Sequence, residues 1–434
     1  MVLSFPTARD PLLSLFQSAA AVVARRDPVP PGTDPAAHPL RRAAGRLVDA
    51  ARAVPSAASP DAVPPTGPDN HADDCAVLGL RYLRALVSGS EAARDEAADR
   101  LRFSRCDPFW AETLLDYARS LGPGGRVPPL PYVRYDRLDR FVLPVPSARC
   151  QIALLSDWGT GTVEARRVAA LLAARRPDIV IHLGDIYYAG TPAECDAHFL
   201  RPLRAVLPAD IPVLALCGNH DTYSGGAGYY GLLRTLNQPA SYFCLRAPDR
   251  SWQILAADTG LHDRDPFTVD RVPTFLDPAE ELWHADKLRG FPGRTVLLSH
   301  HQPFSAFSRI GPAADADPTN PHLMASHARL SAAGRIDAWF WGHEHTLRFY
   351  APYRGVVRGR TVGFGAIPVA PGSVPALPDL RDPPGLALDL TLDVVDGAYT
   401  HGFTLLECSP AGIDAAYWCL SRPDGPFHRE TVAP

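Results

Sequence analysis

Ile179-Val180-Ile181-His182-Leu183-Gly184-Asp185 decides the fold of this chain: a short, mostly apolar run that closes on a glycine and a carboxylate. Such a run suits a strand buried on both faces, and a glycine directly after it marks a tight turn. The same pattern recurs on either side. Upstream, the run 152–155 ends near Asp157, and residues 163–176 between the two runs carry a helical period. Strand, helix and strand at that spacing make a βαβ unit with a right-handed crossover. Downstream, 212–216 is followed by Gly218-Asn219-His220-Asp221, 295–298 by His300-His301, and 338–341 by Gly342-His343-Glu344-His345. One more run, 253–257, ends at Asp258, whose expected task is a hydrogen bond to a neighbouring loop. Alternating strands and helices predict the α/β class, with these runs in one internal sheet. Residues 356–364 and 391–418 read as a β-meander, which predicts a second sheet packed on the first.

Ligands of α/β sheets bind at the C-terminal ends of strands. An Asp or His at one strand end is usually a turn former or a helix cap. Metal-capable residues after five successive runs predict that Asp157, Asp185, the Asn219 motif, His300-His301 and His343–His345 converge. Imidazoles and carboxylates with no cysteine among them suit Zn, Fe or Mn. His343 and His345 stand two apart, so an extended segment points them to one side and lets each reach one of two adjacent ions. Two ions roughly 3.5–4 Å apart clamp the attacking and leaving oxygens of a phosphoryl displacement and supply hydroxide at neutral pH. Asp185 is the natural carboxylate bridge between them.

Composition narrows the function further. The 434 residues are 46% hydrophobic and 21% charged, ordinary globular values. Forty-three basic against 47 acidic side chains give a net charge of -4, which excludes nucleic-acid binding by bulk charge. No stretch reaches the roughly 20 apolar residues that cross a bilayer, so no membrane partner is expected. The apolar run 11–24 is broken by Gln17 and preceded by Asp10, a poor match to a secretory signal. Eight scattered cysteines (Cys75, Cys106, Cys150, Cys195, Cys217, Cys244, Cys408, Cys419) include no C-x-x-C pair. They fit buried thiols in a reducing compartment, hence a cytoplasmic protein, with secretion left open. Residues 1–147 form a separate region: 41–54 and 76–102 read as amphipathic helices, 27–39 and 55–68 as Pro-rich linkers. The expected organisation is therefore a helical N-terminal region, 1–147, and a catalytic domain, 148–434, that includes the C-terminal strands.

Taken in order, Asp157-Trp158-Gly159, Gly184-Asp185-Ile186-Tyr187-Tyr188, Gly218-Asn219-His220-Asp221, His300-His301 and Gly342-His343-Glu344-His345 resemble the calcineurin-like metallophosphoesterase superfamily over about residues 148–360. The resemblance implies a four-layer αββα sandwich around a dinuclear metal centre. It implies that Asp157 and His345 hold the first ion, Asn219, His300 and His343 the second, and Asp185 both. His220 would protonate the leaving oxygen, with Asp221 orienting its imidazole. His300 and His301 compete for a single ligand position ahead of Pro303, His300 coming first off the strand.

One departure is informative. The superfamily's usual histidine two residues after the first aspartate is Gly159 here. The purple acid phosphatase branch also has glycine there and uses the tyrosine three after the bridging aspartate, which is Tyr188. That likeness implies Fe(III) paired with Fe, Zn or Mn. Ala189-Gly190-Thr191 replaces the Asp-Arg-Gly of the Ser/Thr protein phosphatases, which weighs against a protein substrate. Residues 223–230 read as a mobile aromatic loop beside the substrate, and His262, Asp263, Arg264 and Arg309 as other loop residues within possible reach of it. The implied function is acid phosphatase-like hydrolysis of small phosphomonoesters by a metal-held hydroxide, with His220 as general acid. Hydrolysis of phosphodiesters or nucleotides on the same centre is the alternative, and a non-catalytic partner-binding scaffold the third reading. Nothing in the sequence speaks to oligomeric state.

Overall fold

The structure, a computed structural model, describes residues 127–266, 272–311 and 316–434, with single positions and short runs between 102 and 122. The linkers at 27–39 and 55–68 and the helix at 41–54 lie outside the described residues, as does all of 76–102 except Arg102. The chain divides into two compact units, Met1–Glu112 and Thr113–Pro434, and the following concerns the second.

Strands β1 (Val142–Pro144) and β2 (Cys150–Leu155) lead into helix α1 (Val163–Ala173), followed by β3 (Ile179–His182) and β4 (Val213–Ala215). Thr162 starts α1 by accepting a hydrogen bond from the Ala165 amide. Helix α2 (Ala227–Thr235) precedes β5 (Phe243–Arg246) and β6 (Trp252–Ala256). Helix α3 (Pro278–Leu288), β7 (Arg294–Ser299), helix α4 (Pro321–Ala333) and β8 (Ala338–Trp341) come next. The remainder is β9 (Leu347–Tyr350), β10 (Gly359–Val362), β11 (Leu386–Leu388), β12 (Val394–Val395), β13 (Ala398–Tyr399), β14 (Gly402–Ser409), β15 (Gly412–Cys419) and β16 (His428–Ala433).

These strands form a six-stranded sheet, β16-β15-β14-β2-β3-β4, an eight-stranded sheet, β1-β5-β6-β7-β8-β10-β9-β11, and the small pair β12-β13. Successive side chains of a strand face opposite ways, and the packing follows that period. Ile152, Leu154 and Ile181 of the first sheet meet Ile254, Val296 and Phe340 of the second in the central core. The alternate residues Ala153, Leu155 and Val180 pack beneath Val168 and Leu172 of α1 and Leu232 of α2. On the far side Leu255, Leu297 and Trp339 pack against Trp283 of α3 and Leu323 and Leu330 of α4. The result is four layers, αββα, and both faces of each sheet are covered, which is why the runs are apolar at consecutive positions.

Two expectations change. The apolar runs do not share one sheet: 152–155, 179–183 and 212–216 lie in the six-stranded sheet, and 253–257, 295–298 and 338–341 in the eight-stranded one. The C-terminal meander is divided as well: within 356–364, β10 joins the eight-stranded sheet between β8 and β9, and within 391–418, β14 and β15 complete the six-stranded sheet through β14 antiparallel to β2. Periodicity records that a strand is buried on both faces, but long-range pairing selects its neighbour. The eight-stranded sheet also begins before residue 148, because β1 runs parallel to β5. Further upstream Tyr132 donates to Glu280 at 2.7 Å and Arg134 pairs with Asp277.

Candidate metal centre

Strands β2, β3 and β4 of one sheet and β7 and β8 of the other end at a common edge, and the chain turns sharply after each. Asp157 (φ 53°), Asp185 (φ 74°), His343 (φ 66°) and His345 (φ 46°) all adopt the left-handed backbone region that non-glycine residues rarely enter. Such strained positions cluster where surrounding structure holds a functional side chain in place. The approach is close as well. A Cβ on Gly218 would lie 2.2 Å from Asp185 Oδ1, and one on Gly342 would lie 1.8 Å from Ser156 Oγ, so glycine is required at both.

Two groups of donor atoms result. In the first, His345 Nε2 stands 3.3 Å from Asp157 Oδ1. The Tyr187 hydroxyl stands 2.9 Å from that His345 nitrogen, 3.2 Å from Asp157 Oδ1 and 3.0 Å from Asp185 Oδ2. In the second, Asn219 Oδ1 lies 3.1 Å from His300 Nε2 and 3.0 Å from His343 Nδ1, and the two imidazoles are 3.2 Å apart. Asp185 Oδ1 lies 3.4 Å from His300 Nε2. The two oxygens of Asp185 therefore face the two groups. Outer contacts hold these side chains: Ser156 Oγ and the His343 amide donate to Asp157 Oδ2, His300 Nδ1 donates to the Leu183 carbonyl, and Asn219 Nδ2 donates to the Tyr223 hydroxyl.

The chemistry of this set fits metal ions. Burial, then the charges of Asp157 and Asp221, push the Asp185 carboxyl well above its usual range. Burial would raise Asp157 as well, but the His345 imidazole, His300 and the Ser156 hydroxyl hold it low. Burial, then His301, pushes the His300 imidazole well down, so the ring is neutral. Its Nδ1 proton is given to Leu183, which leaves an Nε2 lone pair facing the Asn219 oxygen with no proton between them. A cation satisfies both acceptors at once. Two carboxylates, three imidazoles, an amide oxygen and a phenol, with no thiolate, suit Zn, Fe or Mn.

Several expected site residues take other places. The phenol whose contacts lie among the carboxylates is that of Tyr187. A bridge between Gly159 and Ile186 continues the β2–β3 pairing, with the Tyr187 amide donating to the Gly159 carbonyl. The Tyr188 and Ala189 amides donate to the Glu194 carboxylate instead. Asp221 does not orient His220. Its carboxylate accepts from the backbone amides of Asp185 (2.9 Å), Ile186 (3.1 Å) and Gly218 (2.7 Å), and so ties the turn after β3 to the turn after β4. Burial pushes Asp221 up to about 7 even so. The group that orients His220 is the Tyr188 carbonyl, which accepts from Nδ1 at 2.6 Å.

His300 and His301 both lie in a cluster with His343. His301, however, is tied at Nδ1 to Thr259 Oγ1 and at Nε2 to Asp263 Oδ2, whereas His300 Nε2 faces Asn219 and Asp185. His343 and His345 reach different groups, although not along an extended segment, since both are left-handed. At Gly159 a Cβ would lie 2.9 Å from the Ile186 Cα, so no side chain fits where the superfamily's usual histidine stands. Residues 223–230 are no free aromatic loop: Tyr223, Tyr229 and Tyr230 are buried, the last two on α2. Arg264 donates to the Pro128 carbonyl, Arg309 pairs with Asp379, and His262 stacks on Phe275 at 3.8 Å. Asp258 accepts from the Gly260 and Leu261 amides of its own loop, where a bond to a neighbouring loop was expected. Tyr187 was not read from the sequence as a site residue, and Tyr223 was read only as part of a loop beside the substrate. The adjacent tyrosines after Asp185 and the tyrosine four after Asn219 are the only signals that pointed to them.

Buried carboxylates and imidazoles gather at the strand ends of an αββα sandwich, a donor set able to hold metal ions. Residues 150–347 match the family model described as calcineurin-like phosphoesterase, and this stretch of the chain is a domain of that type. Among solved structures it is similar to a purple acid phosphatase from yellow lupin (Lupinus luteus), at 16% identity and TM-score 0.48, covering 67% of this chain and 55% of that one. It is also similar to a dimetal phosphatase from Danio rerio, at 13% identity and TM-score 0.41, covering 65% of this chain and 98% of that one. A third similar structure is GAP50 of Plasmodium, at 12% identity and TM-score 0.42, covering 66% of this chain and 89% of that one. The chain thus spans little more than half the length of the lupin enzyme. No curated protein sequence matches it. Among the described residues no helix is long and apolar enough to cross a membrane.

Proposed function

We propose that this protein hydrolyses small phosphomonoesters at a dinuclear metal centre. The observation that carries the reading is Asp185: one carboxylate whose Oδ2 faces Tyr187 and whose Oδ1 faces His300, between two groups of metal-capable atoms. Asp157, His345 and Tyr187 would hold one ion, Asn219, His300 and His343 the other, and Asp185 both. Such a pair clamps phosphoryl oxygens and makes a water acidic enough to deprotonate near neutral pH.

The chain's own residues supply the rest. His220 gives its Nδ1 proton to the Tyr188 carbonyl, so Nε2 is the atom left to protonate the departing alkoxide. Its ring is held between Tyr187 and Tyr223, with centroids 4.5 and 4.8 Å away. Burial pushes this imidazole down to about 3, so it keeps an acidic proton only beside an anionic substrate and releases it readily. Asp221 welds the bridging turn to the His220 turn and so keeps acid and bridge in fixed relation.

The test is elemental analysis of natively purified protein together with turnover of an aryl phosphate and a bis-aryl phosphate diester. Two ions per chain and preference for the monoester are expected. A wide preference for the diester would replace this reading with the phosphodiesterase one.

The purple acid phosphatase likeness adds a phenolate and Fe(III). Tyr187 is the phenol we assign to that role, because its hydroxyl touches Asp157, Asp185 and His345. Burial, then the carboxylates of Asp185 and Asp157, push this phenol well up, so only a strong cation displaces its proton. Purified protein is expected to show a visible phenolate-to-iron charge-transfer band, absent from Tyr187→Phe and kept by Tyr188→Phe. A band lost only in Tyr188→Phe would return the role to the residue named by spacing, and a colourless, iron-free, active protein would remove iron altogether.

A further inference from the structure

We infer that Tyr223 is a positioning residue that sets which end of the Asn219 amide faces the second ion. The inference rests on the two-ion reading above and extends it to a residue that reading does not use.

An amide can present either its oxygen or its NH2, two groups of nearly equal size and opposite hydrogen-bonding character. In this protein Oδ1 faces His300 Nε2 at 3.1 Å and His343 Nδ1 at 3.0 Å. Without an ion, the NH2 would be the better group to offer the His300 lone pair. Asn219 holds the reverse orientation because Nδ2 donates to the Tyr223 hydroxyl at 2.6 Å. The Tyr223 hydroxyl thus fixes which end of the amide faces the two imidazoles and a cation held between them.

The local backbone makes this possible. Residues His220–Thr222 form a 3-10 turn, and the Tyr223 amide donates back to the His220 carbonyl, which brings the side chain of Tyr223 under that of Asn219 four residues earlier. Thr222 Oγ1 fixes the other end by donating to the Asn219 carbonyl at 2.9 Å. Tyr223 is wholly buried, so solvent does not take its place as acceptor.

Tyr223→Phe keeps the ring and its packing on His220 and removes the hydroxyl that accepts from Asn219 Nδ2. Zn2+ or Mn2+ titrated into the full-length, chelator-stripped protein, followed calorimetrically and by elemental analysis, reads the two ions separately. The second ion is expected to bind about 10–100-fold more weakly in Tyr223→Phe, as for the loss of other groups that orient a ligand, with the first ion unchanged. Adding Asn219→Asp to Tyr223→Phe should restore the second ion, because a carboxylate presents an oxygen either way round; a general loss of stability would not be rescued so. Tyr223→Phe that binds both ions as tightly as the parent, or a double variant no better than Tyr223→Phe, overturns the inference while the two-ion reading stands. A parent that takes up fewer than two ions overturns both.

Discussion

Asp185→Asn is expected to abolish phosphate-ester hydrolysis and to leave fewer than two ions per chain. The loss should exceed the roughly 10–100-fold that follows removal of an outer-shell partner, because Asp185 is proposed as the shared ligand itself. Two divalent ions about 4 Å apart repel each other by roughly 16 kcal/mol at an effective dielectric of about 20. A carboxylate between them offsets that repulsion, and a neutral amide of the same shape does not. Asparagine keeps the volume and an oxygen able to accept from the His220 amide, as Asp185 Oδ1 does at 3.1 Å. The apo protein should therefore stay folded, which a thermal melt without metal checks. Full activity with two ions retained in Asp185→Asn would remove Asp185 as the shared ligand, and full activity with fewer than two ions would end the dinuclear proposal.

His220→Ala should lower kcat by about 10²–10⁴-fold, the usual contribution of a positioned general acid. The size of the loss depends on the leaving group. An aryl phosphate departs as a stable phenolate and needs little protonation, whereas an alkyl phosphate departs as a strongly basic alkoxide. The ratio of alkyl to aryl turnover should thus fall sharply in His220→Ala while metal content stays at the parent's value. Equal losses on both substrates would mean that His220 binds phosphate without donating a proton.

Much of this was legible in the order of residues along the chain. An apolar run reports a strand buried on both faces, because the sandwich covers each sheet twice. A metal-capable residue after the run reports the strand end, because ligands of α/β sheets collect there. Asp157, Asp185, Asn219, His300, His343 and His345 follow from those two facts, and the structure sets them within hydrogen-bond reach of one another. The empty place at Gly159 was legible too, although its cause, the Ile186 backbone pressed against it, was not.

What the residue order left open were the choices between neighbours. The resemblance put the phenol at Tyr188 and Asp221 behind His220, and it left His300 and His301 open, since adjacent positions share composition and hydropathy. Contacts from distant parts of the chain separate them. Thr259 and Asp263 engage the two ring nitrogens of His301, the Tyr187 hydroxyl meets Asp157, Asp185 and His345, and three backbone amides from two turns surround Asp221. The partition of the strands between two sheets has the same origin, because β2 pairs with β14 more than two hundred residues later. Local pattern determines that a segment is a strand and that its end carries a ligand. Which atom faces the centre is decided by groups that meet only when the chain has folded.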